Sequence, residues 1–142
     1  MREPLPAPTT LNQINLMGQQ GYTAGDLGWN ELHTTDATTA LEFYAALAGW
    51  EKKAEPMPGY HIFGRGQEML GGITNLQNGE TTPRWMPYIT VDDINATLAK
   101  ATSLGATILL PPMALPGDGG HIAIIKDPPG LATGLAQYRK AA

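Results

Sequence analysis

Apolar and polar residues alternate along this chain in two similar runs. From Gly28 to Thr34, Trp29, Glu31 and His33 fall on one side of an extended segment, and Leu32 and Thr34 on the other. Asp36 follows, where its carboxylate can cap a helix by accepting unpaired backbone N–H groups. Ala40, Phe43, Tyr44 and Leu47 then recur at helical spacing, and Gly49 can take the left-handed conformation that ends a helix. Three short strands are predicted next, over 51–55, 60–65 and 69–76, with turns at 56–59 and 64–66. Residues 78–83 read as a linker. The second run predicts a strand over 85–91 and a helix capped by Asp92 or Asp93. Ile94, Leu98, Ala101 and Leu104 face inward on that helix, and Gly105 stops it. Strands over 107–110, 121–126 and 131–138 follow, with a long Pro/Gly loop at 113–120. Each run thus reads strand–helix–strand–strand–strand. The predicted class is α+β, with two βαβββ modules at 27–80 and 81–142. Residues 1–26 form an N-terminal arm in which Pro4, Pro6 and Pro8 prevent regular helix. The arm is either free or packed on the domain or a second subunit through Ile14, Leu16 and Met17.

The two runs also resemble each other residue by residue. Residues 29–36 align without a gap on 85–92, 56 positions later. The identities are Trp29/Trp85, Thr34/Thr90, Asp36/Asp92, Ala40/Ala96, Ala45/Ala101 and Gly49/Gly105. A duplicated unit tends to build its site on the seam between copies, which directs attention to the opening strands.

Composition narrows the function classes. With 142 residues and 42% hydrophobic content, the chain can bury one core. A net charge of −4, with Lys and Arg scattered singly or in pairs, argues against a nucleic-acid surface or a polybasic membrane patch. There is no cysteine, so disulfides, thiolate metal sites and a cysteine nucleophile are excluded. No apolar run approaches the ~20 residues needed to span a bilayer, and residues 1–8 contain no apolar signal core. The expectation is a soluble, cytoplasmic protein. Ser103 is the sole serine and lies late on the second helix, which leaves no nucleophile elbow. The Gly117–Gly120 stretch is not followed by a helix pattern and does not read as a phosphate loop.

At this point the residues resemble the vicinal oxygen chelate superfamily, also called the glyoxalase/bleomycin-resistance/dioxygenase superfamily. The matching pieces are Asp36 with Phe43-Tyr44 and Gly49-Trp50, then Val91-Asp92-Asp93, Gly105-Ala106 and Asp127-Pro128-Pro129-Gly130. The resemblance covers about residues 28–138. It implies two βαβββ modules whose mixed sheet curls into one open cup, and a homodimer. Enzymatic members hold a divalent metal in that cup through His, Gln or Glu of the first and last strands. Others bind small molecules without a metal. Carried onto this chain, the four ligand positions fall on Trp29, on Trp85 or Met86, on Gly134, and on the Gly71-Gly72-Ile73 strand. Indole, thioether and glycine cannot replace hard O and N donors, so the usual metal site is expected to be absent.

Two readings of the cup follow. In the first, a metal-free cup binds a small apolar or aromatic molecule. Trp29 and Trp85 face each other across the pseudo-two-fold axis, with Tyr60, Phe63 and Tyr88 nearby and Glu31, His33 and His121 as polar groups. Glu31 is the candidate general acid or base, as the one acid on the inner face of the opening strand. No cofactor is then needed. The alternative is a lyase, isomerase or dioxygenase whose displaced site holds one divalent metal on Glu31 and His33, with His121 as a third ligand. A third possibility is an interaction protein with a filled cup.

Overall fold

The computed structural model describes residues 23–77 and 79–138, so the arm expected at 1–26 lies almost wholly outside the described residues. The elements in order are β1 (Leu27–Thr34), α1 (Ala37–Ala48), β2 (Glu51–Met57), β3 (Tyr60–Arg65), β4 (Glu68–Asn75), β5 (Arg84–Thr90), α2 (Ile94–Ser103), β6 (Thr107–Ala114), β7 (Gly120–Lys126) and β8 (Ala132–Tyr138). A short 3₁₀ turn, Pro116–Asp118, separates β6 from β7. Each module is therefore βαβββ. The eight strands form one mixed sheet of order β2-β3-β4-β1-β5-β8-β7-β6, curled into a half-barrel. Within each module the first strand runs parallel to the last, β1 beside β4 and β5 beside β8. The modules join where β1 and β5 pair antiparallel.

Local chemistry sets the helices. Asp36 has extended backbone angles and accepts from Thr39 N at 3.1 Å, and Gly49 closes α1 at φ 72°. On α2 the cap is Asp93, which accepts from Ala96 N at 3.1 Å, and not Asp92. The last strand of each module supplies a second cap. Asn75 Oδ1 accepts from Ala37 N at 2.9 Å, and Gln137 Oε1 accepts from Ile94 N at 2.7 Å. These side chains satisfy N–H groups that a helix leaves unpaired and fix each helix to its sheet.

Both helices cover the same face of the sheet. Under α1 lie Leu32, Phe63 and Ile73, with Ala37, Ala40, Leu41 and Tyr44 against them. Under α2, Ile94 and Leu98 pack on Ala123 and Leu135. The concave face carries a separate cluster of buried Met86, Tyr88 and Ala136, ringed by half-buried Trp29, Ile122, Ile124, Ala132 and Tyr138. β6 runs four residues beyond the expected 107–110 despite Pro111 and Pro112. It is an edge strand, where a missing N–H is tolerated, and its register with β7 shifts between Leu110 and Met113.

One expectation changes on this frame. The helix caps Asp36 and Asp93 stand 57 positions apart, one more than the gap-free alignment. The ladders agree, because Glu31 is opposite Gly72 on β4 and Tyr88 is opposite Gly134 on β8. Glu31 therefore corresponds to Tyr88, and Trp29 to Met86. A one-residue slip in a strand turns every side chain to the other face. Trp85 accordingly lies on the helix-bearing face, with ring centroids 5.9 Å from Tyr44, 6.0 Å from Trp50 and 6.1 Å from Phe63. It does not face Trp29.

Candidate functional site

Strand alternation places Trp29, Glu31 and His33 of β1 on the concave face, beside Met86 and Tyr88 of β5. Glu31 is 7% exposed and has three hydrogen-bond partners. Tyr60 Oη donates to Oε2 at 2.7 Å, Tyr88 Oη donates to Oε1 at 3.1 Å, and His33 Nε2 lies 2.6 Å from Oε1. Trp29 Nε1 donates to Tyr60 Oη at 2.9 Å, which sets the indole against this corner. On its other side, His33 Nδ1 lies 2.6 Å from Glu80 Oε1. Glu80 also accepts from Gln77 N at 2.7 Å and from Arg84 Nη2 at 3.3 Å, and Arg84 Nη1 donates to Ala132 O at 3.1 Å. A continuous polar chain thus runs Trp29–Tyr60–Glu31–His33–Glu80–Arg84 across the seam of the modules.

The electrostatics follow from that chain. Burial alone would lower the His33 pKa, but hydrogen bonds to Glu31 and Glu80 and the charge on both acids raise it above its ordinary 6.5. Burial would raise Glu80, yet the His33 and Gln77 hydrogen bonds bring it below its ordinary 4.5. Burial, and next the nearby Glu31 charge, push the Tyr60 and Tyr88 hydroxyls well above the usual phenol range, so both remain donors. With His33 protonated, the formal charges of Glu31, Glu80, His33 and Arg84 cancel.

Two glycines make room for the tyrosines. A Cβ at Gly72 would collide with the Tyr60 hydroxyl and ring, and one at Gly134 with the Tyr88 ring. These are the positions where the superfamily resemblance places last-strand ligands. The opening-strand positions on the concave face are Trp29 and the fully buried Met86. Both nitrogens of His33 already meet carboxylate oxygens. Among the described residues, no group of three or more His, Cys, Asp or Glu side chains is placed to hold a metal ion. At the superfamily's ligand positions the side chains present, an indole, a thioether and two glycines, offer no hard O or N donor.

Of the residues singled out from sequence, Trp29, Glu31, His33, Tyr60 and Tyr88 come together. Phe63 and Trp85 do not, because both point into the helix-bearing face. His61 pairs with Ile73 on that same face. His121 lines a cleft of about 400 Å³ near the start of α2, with Asp92, Leu115, Asp118, Gln137 and Tyr138, the last of which also packs on the concave cluster. It is not a third ligand for Glu31 and His33. Glu80 and Arg84 complete the network. Arg84 stands opposite His33 on β5 and binds Glu80. Glu80 lies 47 residues from His33 in a linker with no periodicity, so no local signal marks it.

Comparison with known proteins agrees with this architecture. Residues 29–134 match the model of the glyoxalase-like domain family. A putative glyoxylase, CFP32, of Mycobacterium tuberculosis is 34% identical over 126 residues, covering 84% of this chain and 48% of that protein. The anthracycline biosynthesis protein DauV of Streptomyces sp. is 31% identical over 123 residues, covering 82% of this chain and 43% of that protein. The chain thus spans less than half the length of these curated relatives. Among solved structures, a glyoxalase/bleomycin resistance protein/dioxygenase superfamily member from Vibrio splendidus superposes with a TM-score of 0.59 at 14% identity. That match covers 77% of this chain and 96% of that one. A methylmalonyl-CoA epimerase from Mycobacterium tuberculosis gives 0.58 at 14% identity, covering 79% and 87%. Sequence match and half-barrel together show that this chain belongs to the glyoxalase-like domain family, within the glyoxalase/bleomycin resistance/dioxygenase superfamily.

Proposed function

We propose that the concave face binds a small, flat, uncharged molecule without a metal ion. The observation that carries this reading is the placement of Glu31, a buried carboxylate with three donors at the centre of the cup, beside an apolar bed. Trp29, Ile122, Ile124 and Tyr138 are half-buried around Met86 and Tyr88, which suits a planar ligand with one polar edge. A buried polar network costs desolvation free energy, and such networks concentrate at functional sites. Cancelling charges favour a neutral ligand over an ionic one. Anthracyclines are flat polycyclic quinones, and the relationship to an anthracycline biosynthesis protein supports a ligand of this shape. In this reading Glu31 exchanges a proton with a bound carbonyl or hydroxyl. Tyr60, Tyr88 and His33 hold its carboxylate in position for that.

The test is calorimetric titration of the metal-analysed protein with uncharged hydroxyquinones. Saturable binding is expected, weakened up to about tenfold by Trp29→Ala, the free-energy range of one well-placed aromatic contact. Binding that is absent, or unchanged in the variant, would remove this reading. Elemental analysis of the same sample is expected to find metal well below one equivalent. Near-stoichiometric metal that disappears on combined Glu31→Ala and His33→Ala replacement would favour chelate-type enzymology instead.

A further inference from the structure

His33 is held between two acceptors. Its Nε2 lies 2.6 Å from Glu31 Oε1 and its Nδ1 lies 2.6 Å from Glu80 Oε1, and the ring is 3% exposed. An imidazolium has two N–H groups, whereas a neutral imidazole has one. With both carboxyls ionised, the two contacts are satisfied together only while the ring carries both protons. Loss of one proton aims a nitrogen lone pair at a carboxylate oxygen, and one of the two contacts must open.

The surroundings decide which. The groups facing His33 are Glu31 on β1, Glu80 between β4 and β5, Arg84 opposite it on β5 and Thr74 opposite it on β4. Tyr60 of β3 and Tyr88 of β5 reach it through Glu31. The Glu31 side chain is 9% exposed, is fixed on a central strand and keeps two tyrosine donors. Glu80 is 17% exposed and lies outside any strand or helix. Its second cation, Arg84, is 25% exposed, so the two can reach water together. Rehydrating Glu80 costs less than stripping donors from Glu31.

We propose that His33 and Glu80 form a proton-operated clasp. Closed, the doubly protonated ring ties the Glu80 end of the inter-module connection to the cup. Open, Glu80 turns to solvent and the His33 edge of the Glu31 corner becomes accessible from the side. Because the His33 pKa is raised, the clasp is closed in mild acid and opens as pH rises past the ordinary histidine value. This inference concerns the protein alone and stands whether or not the cup binds the ligand proposed above.

The experiment is ¹⁵N NMR of the full chain titrated from about pH 5 to about pH 9, the range that brackets histidine ionisation. It follows the His33 ring nitrogens, the backbone amides of Gln77 and Glu80, and the Trp29 indole N–H. Both ring nitrogens are expected to be protonated at the acid end. The ring and both amides should share one midpoint above 6.5, while the indole, which reports on Tyr60 and Glu31, stays in place. A His33 singly protonated throughout, or a ring that titrates without the amides, overturns the clasp. So does an indole that titrates in their stead, because the Glu31 arm would then be the one that opens. Glu80→Gln removes one charge and is expected to lower the ring midpoint by about one pH unit or more. An unchanged midpoint counts against the proposal.

Discussion

Gly72 and Gly134 lack side chains at the two points where Tyr60 and Tyr88 cross the concave face. Their absence lets both hydroxyls reach the one carboxylate of Glu31. Gly134→Ala is therefore an overpacking change, because its Cβ meets the ring of a tyrosine that is 3% exposed and cannot move aside freely. A loss of about 1–3 kcal/mol in urea unfolding is expected. A loss of a few tenths or less would mean that Tyr88 is not seated as described. At this scale the sequence was partly readable. Period-two alternation correctly put Trp29, Glu31 and His33 on one face. The gap-free repeat puts Trp85 in the same cup and aromatic character alone adds Phe63, but hydrogen-bond register turns both to the other face. Aromatic identity says nothing about which side of a sheet a residue faces. The register shows that Trp85 belongs with Tyr44, Trp50 and Phe63.

The elements follow local rules with one ambiguity, the cap of the second helix. Both Asp92 and Asp93 are chemically able to accept from the first turn, but only Asp93 does so, with Ala96 N. Asp93→Ala is expected to destabilise the protein by about 1 kcal/mol and Asp92→Ala by much less, both read by thermal unfolding. Equal effects would contradict the cap. The cap agrees with the ladder register in placing the modules 57 positions apart, and the register sets which face of β5 meets the cup. β6 shows the converse. Its two prolines predict an end at residue 110, and the strand continues because its place at the sheet edge removes the need for their N–H groups. Edge or centre is a property of the assembled sheet.

For the whole molecule, the His33–Glu80 contact predicts how stability varies with pH. His33 is raised in the folded state. Its contribution is complete below about 6.5 and is lost as pH rises through the folded value. Glu80 is lowered. Its contribution is complete above about 4.5 and is lost as pH falls through the folded value. Both are complete between those limits. The melting temperature should be highest there and should decline toward pH 8. Glu80→Gln should flatten the alkaline decline. A melting temperature that climbs from 6.5 toward 8 in the wild type would contradict the assignment. Asp36 and Glu55 are also lowered by hydrogen bonds, from Thr39 and from Lys52. They bear on the acid side alone.

The sequence by itself determined the order of elements, both helix stops, the βαβββ plan of each module and the family. All of these rest on neighbours in the chain: caps, turns and periodicity act over three or four residues. It also marked Trp29, Glu31 and His33 as a unit, because residues two apart on a strand share a face. The tertiary structure decided the rest. It brought Glu80 to His33 across 47 residues, set Tyr60 and Tyr88 over two glycines, turned Trp85 away from the cup and placed His121 in a different cleft. Each depends on strand register and strand order. These are fixed by pairing between distant segments and leave no trace in local pattern.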